Sequence, residues 1–176
     1  MKLAIAAIVM IAVVPPRGQL PASEAWKPFD YFVGAWTGEE SASFGKGKGE
    51  RSYRFILQGR YLLSENASRF PAQGAGAGEA HDDWTVFSYD IARKTYIARQ
   101  FNSEGFINTL VMDRSSSVPR KMRFVAERTE NAPPGTSVVL EFEIAGEDEF
   151  VERFEVRFPG RDEPTEIRNR WRRTRR

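Results

Sequence analysis

A single histidine is the first residue in this chain that could do chemistry. His81 is the only histidine among the 176 residues, and Asp82 and Asp83 follow it directly. An imidazole beside carboxylates can act as a general base or bind a metal ion. Because the chain has no cysteine, a zinc site would need carboxylates for every other protein ligand. Ser88 and Ser103 stand in no nucleophile motif, so we predict no catalytic residue. His81 is the metal-ligand candidate of the chain, and the favoured interpretation is a polar loop residue.

A second group of residues interrupts the apolar faces of the segments that carry them. Arg99 lies between Ile97 and Phe101, and Glu152 lies between Phe150 and Phe154. A cavity lined by aromatic side chains and a few polar groups is typical of small-molecule sites. We therefore predict ligand-binding residues at Trp36, Tyr53, Arg99, Phe101, Asn108, Arg128 and Glu152. Taken singly, each polar member could instead form an Arg–Glu pair or lie near solvent at an edge.

Short strands must position these residues. Apolar and polar residues alternate in ten segments, separated by Gly, Pro, Asn and Asp, as in 136–145, where Val138, Leu140 and Phe142 face one way. Short connections indicate an antiparallel meander, and closing a meander removes its exposed edges. The predicted fold is all-β, a ten-stranded antiparallel meander β-barrel, with a two-sheet sandwich as the alternative. The predicted strands cover 36–44, 50–58, 60–70, 84–89, 95–102, 106–113, 121–130, 136–145, 149–158 and 165–173.

The strands are organised around one aromatic stretch near the start of the chain. Pro28 can occupy the first turn of a helix and Gly34 can end it, which predicts a short helical turn before the first strand. Trp36 then begins that strand, and Gly38 leaves room for a close neighbour. The longest irregular piece, 71–83, is predicted to be a loop.

The N-terminus has the pattern of a signal peptide. Lys2 precedes the apolar run 3–14, and Ser23-Glu24-Ala25 is a small-x-small cleavage sequence. Twelve apolar residues are too few to span a bilayer, which takes about 20. We therefore predict residues 1–25 as a signal peptide and 26–176 as one exported domain, periplasmic or secreted by a bacterium, with no stable membrane span after cleavage.

Charge is unevenly spread along the predicted mature chain. Its 24 basic and 23 acidic residues include six arginines in the last nine positions, so the remainder is acidic. Such a tail could contact nucleic acid or anionic lipid. Because Arg168, Arg170 and Arg172 alternate with Ile167, Asn169 and Trp171, the tail is better explained as one solvated face of a strand. We predict no nucleic-acid partner.

The order helix, Gly-x-Trp and first strand resembles the opening of calycins, which include lipocalins and fatty-acid-binding proteins. The resemblance implies that Trp36 plugs the barrel floor and that a basic residue of the last strand, Arg168 or Arg170, covers its ring. The whole mature chain also resembles a bacterial calycin-like family, similar in architecture to nitrobindin-type haem-binding barrels. The motifs that carry this resemblance are Gly34-Ala35-Trp36-Thr37-Gly38, His81-Asp82-Asp83, Ser88-Tyr89-Asp90 and the segment from Arg99 to Asn108.

These observations leave several functions open. The first is an exported barrel that holds a small apolar or amphipathic ligand, with arginines such as Arg99 meeting an acidic head group. The second is haem binding, for which only His81 or Tyr53 remains as axial ligand because no histidine follows His81. The third is an enzyme that uses the His81 segment, and the fourth is a filled barrel with a structural or interaction role. Apart from haem in the second of these functions, we predict no cofactor. The sequence does not indicate an oligomeric state.

Overall fold

The computed structural model describes residues 22–42, 45–72 and 78–174. The chain begins with helix α1 (Ala22–Trp26) and a 3-10 helix (Lys27–Phe32). Ten strands follow: β1 (Gly34–Ala42), β2 (Gly45–Ile56), β3 (Tyr61–Phe70), β4 (Glu79–Asp90), β5 (Thr95–Asn102), β6 (Ile107–Met112), β7 (Lys121–Glu130), β8 (Ser137–Ile144), β9 (Glu149–Arg157) and β10 (Thr165–Arg173). Most of residues 1–25, the predicted signal peptide, lie outside the described ranges.

The ten strands form a closed antiparallel barrel in which each strand pairs with its neighbours in sequence. The closing pair joins β1 to β10, with Gly38 opposite Trp171 and Trp36 opposite Arg173. Closure leaves no sheet edge exposed. The predicted meander barrel with a short N-terminal helix is therefore confirmed, and the two-sheet sandwich is wrong.

Two strands extend further than their sequence predicts. Gly45–Gly49, expected to be a turn, belongs to β2, and 79–83, expected to be loop, belongs to β4. Backbone pairing with β3 explains the second extension, since Ser68 pairs with His81 and Phe70 with Glu79. Tertiary pairing overrides the low strand propensity of Gly and Asp. His81 is therefore a strand residue, and the interpretation as a loop residue was wrong.

The N-terminal helices close one end of the barrel. We call residues 26–32, the part of this helical segment that belongs to the predicted mature chain, the plug. Its rings at Trp26, Phe29 and Phe32 are 3%, 1% and 2% exposed. They pack in edge and tilted geometries against barrel aromatics such as Tyr96 and Phe150. Aromatic burial on this scale is a large stabilising term. Among the described residues, no helix has the length and apolar character needed to cross a membrane.

Trp36 lies beneath the plug and is covered by an arginine of the last strand, but a different one from those expected. Its indole Nε1 donates to the Phe32 carbonyl at 2.7 Å. The guanidinium carbon of Arg173 lies 4.2 Å from the ring centroid. Alternate residues of β10 face inward, and Arg173 lies two residues after the inward-facing Trp171. Arg168 and Arg170 occupy the other positions and therefore point outward. The prediction that Arg168 or Arg170 covers Trp36 is therefore wrong.

Candidate functional site

The two ends of the barrel differ. The plug fills the end at which β1 begins. At the opposite end, which we call the mouth, inward-facing side chains of several strands are only partly buried, including Thr129, Phe154 and Ile167. In a closed barrel an inward-facing side chain reaches solvent only through an open end, so the mouth is where a small molecule could enter.

A buried polar network separates the mouth from the plug. Arg51 of β2 forms an ion pair with Glu152 of β9 inside the barrel, where both side chains are at most 6% exposed. Arg51 Nε donates to Asn66 Oδ1 at 3.1 Å, and its guanidinium lies 4.3 Å from the Trp171 ring centroid. Trp171 Nε1 in turn donates to Glu152 Oε2 at 3.2 Å. We call these residues, with Tyr53, the floor.

Polar contacts continue from the floor toward the mouth. Asn66 Nδ2 donates to Ser68 Oγ at 2.9 Å, and Ser68 Oγ donates to Glu40 Oε1 at 2.5 Å. Burial raises the pKa of Glu40, and it does so more strongly than Ser68 and Arg51 oppose it. Burial likewise raises the pKa of Glu152 against the pull of Arg51, and raises that of Tyr53 to about 12. Paired buried polar groups of this kind rigidify an interior.

His81 joins β4 to the turn between β5 and β6. Its Nδ1 lies 2.5 Å from Glu104 Oε1, and its Nε2 lies 3.5 Å from Asp83 Oδ2. Burial opposes a charge on His81, but the contacts with Asp83 and Glu104 outweigh it and raise the pKa of His81 to about 9. The imidazole is therefore protonated at neutral pH and holds this side of the mouth together.

The inner wall of the mouth has a polar side and an apolar side. The polar side is formed by residues of β3 to β7, namely Ser68, His81, Gln100, Asn108 and Thr129, and the apolar side by residues of β8 and β9, namely Val138, Leu140, Phe154 and Val156. Strands β4 and β9 lie opposite one another in the ring of ten. The partly exposed members of these walls are His81, Thr129 and Phe154, so a molecule that enters the mouth would meet polar and apolar side chains there first.

Some buried polar atoms of the mouth have no partner. Asn108 is fully buried and its Nδ2 donates to Gln100 Oε1 at 3.0 Å, but its Oδ1 accepts no hydrogen bond. Asn169 Oδ1 and Thr129 Oγ1 are also buried without a partner. Buried polar atoms are nearly always paired in native proteins. Each of these three is therefore a place where a ligand or water could donate.

A cleft of about 900 Å³ opens at the mouth, beside the β1–β2 hairpin. Glu40 and Asn169, which face the lumen, form its inner edge, and Phe70, Pro71 and Val151 give it apolar surface. Basic side chains border it, namely Lys46, Lys48, Arg69, Arg168 and Arg170. The volume lies in the range of small-molecule sites.

Of the residues that the sequence predicted for the ligand site, some face the inside of the barrel and others lie on its outer wall. Trp36, Tyr53, Asn108 and Glu152 are buried on the inward face, at 1%, 3%, 0% and 4% exposure. Tyr53 and Glu152 belong to the floor, Trp36 lies under the plug, and only Asn108 lines the mouth.

Arg99, Phe101 and Arg128 lie on the outer wall, so the expectation that they line the lumen is wrong. In β5 the inward positions are even-numbered, including Ala98 and Gln100, and Ile97 is buried on the outside. In β7 a bulge after Ala126 shifts the register against β6, which turns Arg128 outward with 70% of its side chain exposed. A one-residue change of register reverses the face of every residue beyond it.

Sequence reasoning missed the cation at the centre of the floor. Arg51 shares the inward parity of Tyr53 in β2, and that parity is the signal that could have revealed it. The alternation of β10 could likewise have revealed Asn169, two residues before Trp171. Asn169 interrupts an apolar face between Ile167 and Trp171, as Glu152 does in β9, whereas Arg51 follows two glycines on the inward face of β2.

The donor set at the mouth does not suit a haem iron. An axial imidazole needs a free lone pair, but His81 contacts carboxylates at both ring nitrogens and has a pKa of about 9. Tyr53 lies in the floor, where its hydroxyl accepts from Arg51 at 3.4 Å. Among the described residues, no group of three or more His, Asp or Glu is arranged to hold a metal ion.

Comparisons with known proteins support the fold and no more. No family model and no curated protein sequence matches this chain. The crystal structure of Rv2717c from M. tuberculosis is similar, with a TM-score of 0.62 at 16% identity over 89% of this chain and 99% of that one. The chain therefore shares a closed β-barrel fold with a solved structural neighbour.

Two further barrels are more distant. EF1p2_mFAP2b bound to DFHBI has a TM-score of 0.46 at 6% identity, covering 82% of this chain and 94% of that one. A de novo designed fluorescence-activating β-barrel has a TM-score of 0.42 at 12% identity, covering 82% of this chain and 94% of that one. Neither similarity is close enough to say what this chain binds.

Proposed function

We propose that this barrel binds a small amphipathic molecule in its mouth, above the floor. The observation that supports this most is the pair of unlike walls, one polar and one apolar, with the unpartnered Asn108 Oδ1 between them. Amphipathic molecules satisfy both kinds of surface, because a buried polar atom without a partner costs free energy that a ligand donor would recover.

The interior supports only the mouth as the place for this ligand. Aromatic rings of the plug and Trp36 occupy the closed end, and the Arg51–Glu152 pair crosses the lumen above them. The same filling favours a second candidate, a barrel with a structural or interaction role and no ligand. The two candidates differ in whether the mouth binds anything.

A fluorescent probe separates these candidates. N-phenyl-1-naphthylamine, a neutral apolar dye, should bind with enhanced emission and a blue shift. Ile167→Trp places a large ring at the mouth and should weaken that binding at least tenfold. Val118→Trp is the matched control, because Val118 is 59% exposed on the loop between β6 and β7 at the plug end. Thermal unfolding checks that both variants fold. Absence of dye binding, or equal loss in both variants, would contradict the proposal.

Family and location remain part of the proposal. The short helix, Gly-x-Trp and the arginine that lies over Trp36 support a calycin-type barrel. Export is proposed from the leader pattern in residues 1–25. Export is tested by expressing the chain in a bacterial host and measuring the molecular mass of the protein recovered outside the cytoplasm. The mature chain should begin at Trp26, and a chain retained in the cytoplasm with its leader intact would argue against export.

A further inference from the structure

A row of basic residues runs along the outer rim of the mouth. Ser41 of β1 lies directly opposite Lys46 of β2 on one side and Arg168 of β10 on the other. Glu39, two residues earlier on the same face, lies between Lys48 and Arg170. Strands lie about 4.8 Å apart, so cations two strands apart are separated by roughly 10 Å at their Cα atoms. Long side chains can converge across that gap on one small group.

Three of these cations are available to a ligand. Arg69 contacts Asp82 at 2.5 Å, and Arg170 contacts Glu149 at 2.5 Å. Within the described part of the chain, by contrast, Lys46, Lys48 and Arg168 form no ion pair. The lining of the cleft carries five basic residues against the acidic Glu39 and Glu40. Glu40 is 4% exposed and accepts from Ser68, so among the described residues the unpaired charges of the rim that meet solvent are the three cations and the single carboxylate of Glu39.

The same cleft has apolar surface next to its cations. Phe70, Pro71 and Val151 line it, together with the aliphatic stems of the basic side chains. Its inner edge is Asn169, whose buried Oδ1 has no partner. The cleft therefore leads from a cationic rim, over apolar surface, to the polar interior of the mouth.

We propose that the ligand is an anionic amphiphile whose carboxylate, phosphate or sulfate head lies among Lys46, Lys48 and Arg168. Its apolar part lies against Pro71 and the inward-facing Phe70 and reaches into the mouth. This inference rests on the proposed function, because it names the class of molecule that the same mouth receives. Cations that are not already paired attract an anion without first breaking a protein ion pair.

Titration calorimetry with matched probes tests the inference. Decanoate and 1-decanol have the same chain length and differ in head-group charge, and acetate supplies the charge without the chain. Decanoate should bind at least tenfold more tightly than 1-decanol at low ionic strength, and its affinity should fall as salt is added. Acetate should show no measurable binding.

Two triple variants supply the control. The variant Lys46→Gln, Lys48→Gln, Arg168→Gln should lose at least tenfold in decanoate affinity and stay within about twofold for 1-decanol. The variant Lys27→Gln, Arg60→Gln, Lys94→Gln removes the same charge at the plug end and should bind decanoate as the parent does.

Equal binding of decanoate and 1-decanol by the parent protein would overturn the anionic head group and leave the mouth site standing. Equal effects of the two triple variants, or acetate bound as tightly as decanoate, would also overturn it. If neither decanoate nor 1-decanol binds, the proposed function itself is wrong.

Discussion

Arg51 of β2 and Glu152 of β9 form an ion pair through the inside of the barrel, although β1 and β10 separate them in the sheet. Trp171, which donates to the same carboxylate, stacks beneath the guanidinium. The pair ties together two strands that share no backbone hydrogen bonds. It also fixes the depth to which the mouth can extend.

Breaking that pair should destabilise the fold strongly. Arg51→Met leaves a buried carboxylate without its cation, and we expect a loss of about 3–5 kcal/mol in the free energy of unfolding. Glu152→Gln should cost a comparable amount, and the double variant should cost clearly less than the sum of the two. Urea unfolding of the four proteins measures this coupling. Additive losses, within about 0.5 kcal/mol, would show that the two residues do not act as a pair.

Arg173, and neither Arg168 nor Arg170, should matter for closure of the plug end. Its guanidinium covers Trp36 and donates at 2.8 Å to the Val33 carbonyl. Arg173→Met should lower the free energy of unfolding by about 1–3 kcal/mol and alter the emission of Trp36.

Arg170→Met is the control for Arg173→Met, because Arg170 is an exposed residue whose ion pair with Glu149 lies at the surface. Exposed pairs contribute about 0–1 kcal/mol. A control variant as unstable as Arg173→Met would contradict the assignment of Arg173 as the residue that closes the barrel.

His81 should make stability depend on pH in the alkaline range. Burial is outweighed by Asp83 and Glu104, so the pKa of His81 in the folded protein rises to about 9, above the ordinary value of about 6.5. Because the pKa is higher in the folded protein than in the unfolded chain, the charged imidazole stabilises the fold fully below about pH 6.5. This stabilisation is lost as the pH rises through about 9. The difference in unfolding free energy between the parent and His81→Gln should therefore shrink from pH 6 to pH 10.

A proton NMR titration of the single imidazole gives the same test directly. The expected midpoint lies near pH 9. A midpoint at or below about 6.5 would show that Asp83 and Glu104 do not hold the ring in its charged form.

Gly38 and Gly49 leave room for the Trp171 ring, so a larger residue at either position should destabilise the fold. A Cβ placed on Gly38 would lie 2.6 Å from Trp171 Cε3. A Cβ placed on Gly49 would collide with the Glu40 carboxylate and would lie 2.6 Å from Trp171 Cη2. Gly38→Ala and Gly49→Ala should each cost about 1–3 kcal/mol by overpacking. Gly146→Ala, where the nearest atom would be 3.9 Å away, should be nearly neutral. Thermal unfolding ranks the three, and a neutral Gly49→Ala would be inconsistent with the packing described.

The strand pattern of the sequence predicts the fold because alternation has the same period as a strand and the connections are short. It predicts the inward faces less well, since the face depends on register. The bulge in β7 moves Arg128 outside, and no local signal at Arg128 marks it. In β5 the apolar Ile97 and Phe101 lie outside while Gln100 lies inside, so polarity alone indicates the wrong face.

Other parts of the site depend on contacts between segments that are distant in the chain. His81 lies in a run of polar residues with low strand propensity, and only pairing with β3 makes that run a strand. The ion pair of the floor joins residues 51 and 152. Parity within β2 places Arg51 on the inward face, but its partner follows only from the order and shear of the closed barrel.

Mapping of backbone and side-chain NMR shifts on addition of decanoate tests most directly whether the mouth is the binding site. We expect saturable shifts at Asn108, Phe154 and Asn169, and unchanged resonances for Trp26 and Phe29 in the plug. Shifts centred on the plug, or on the exposed outer pair Trp84 and Phe101, would contradict it.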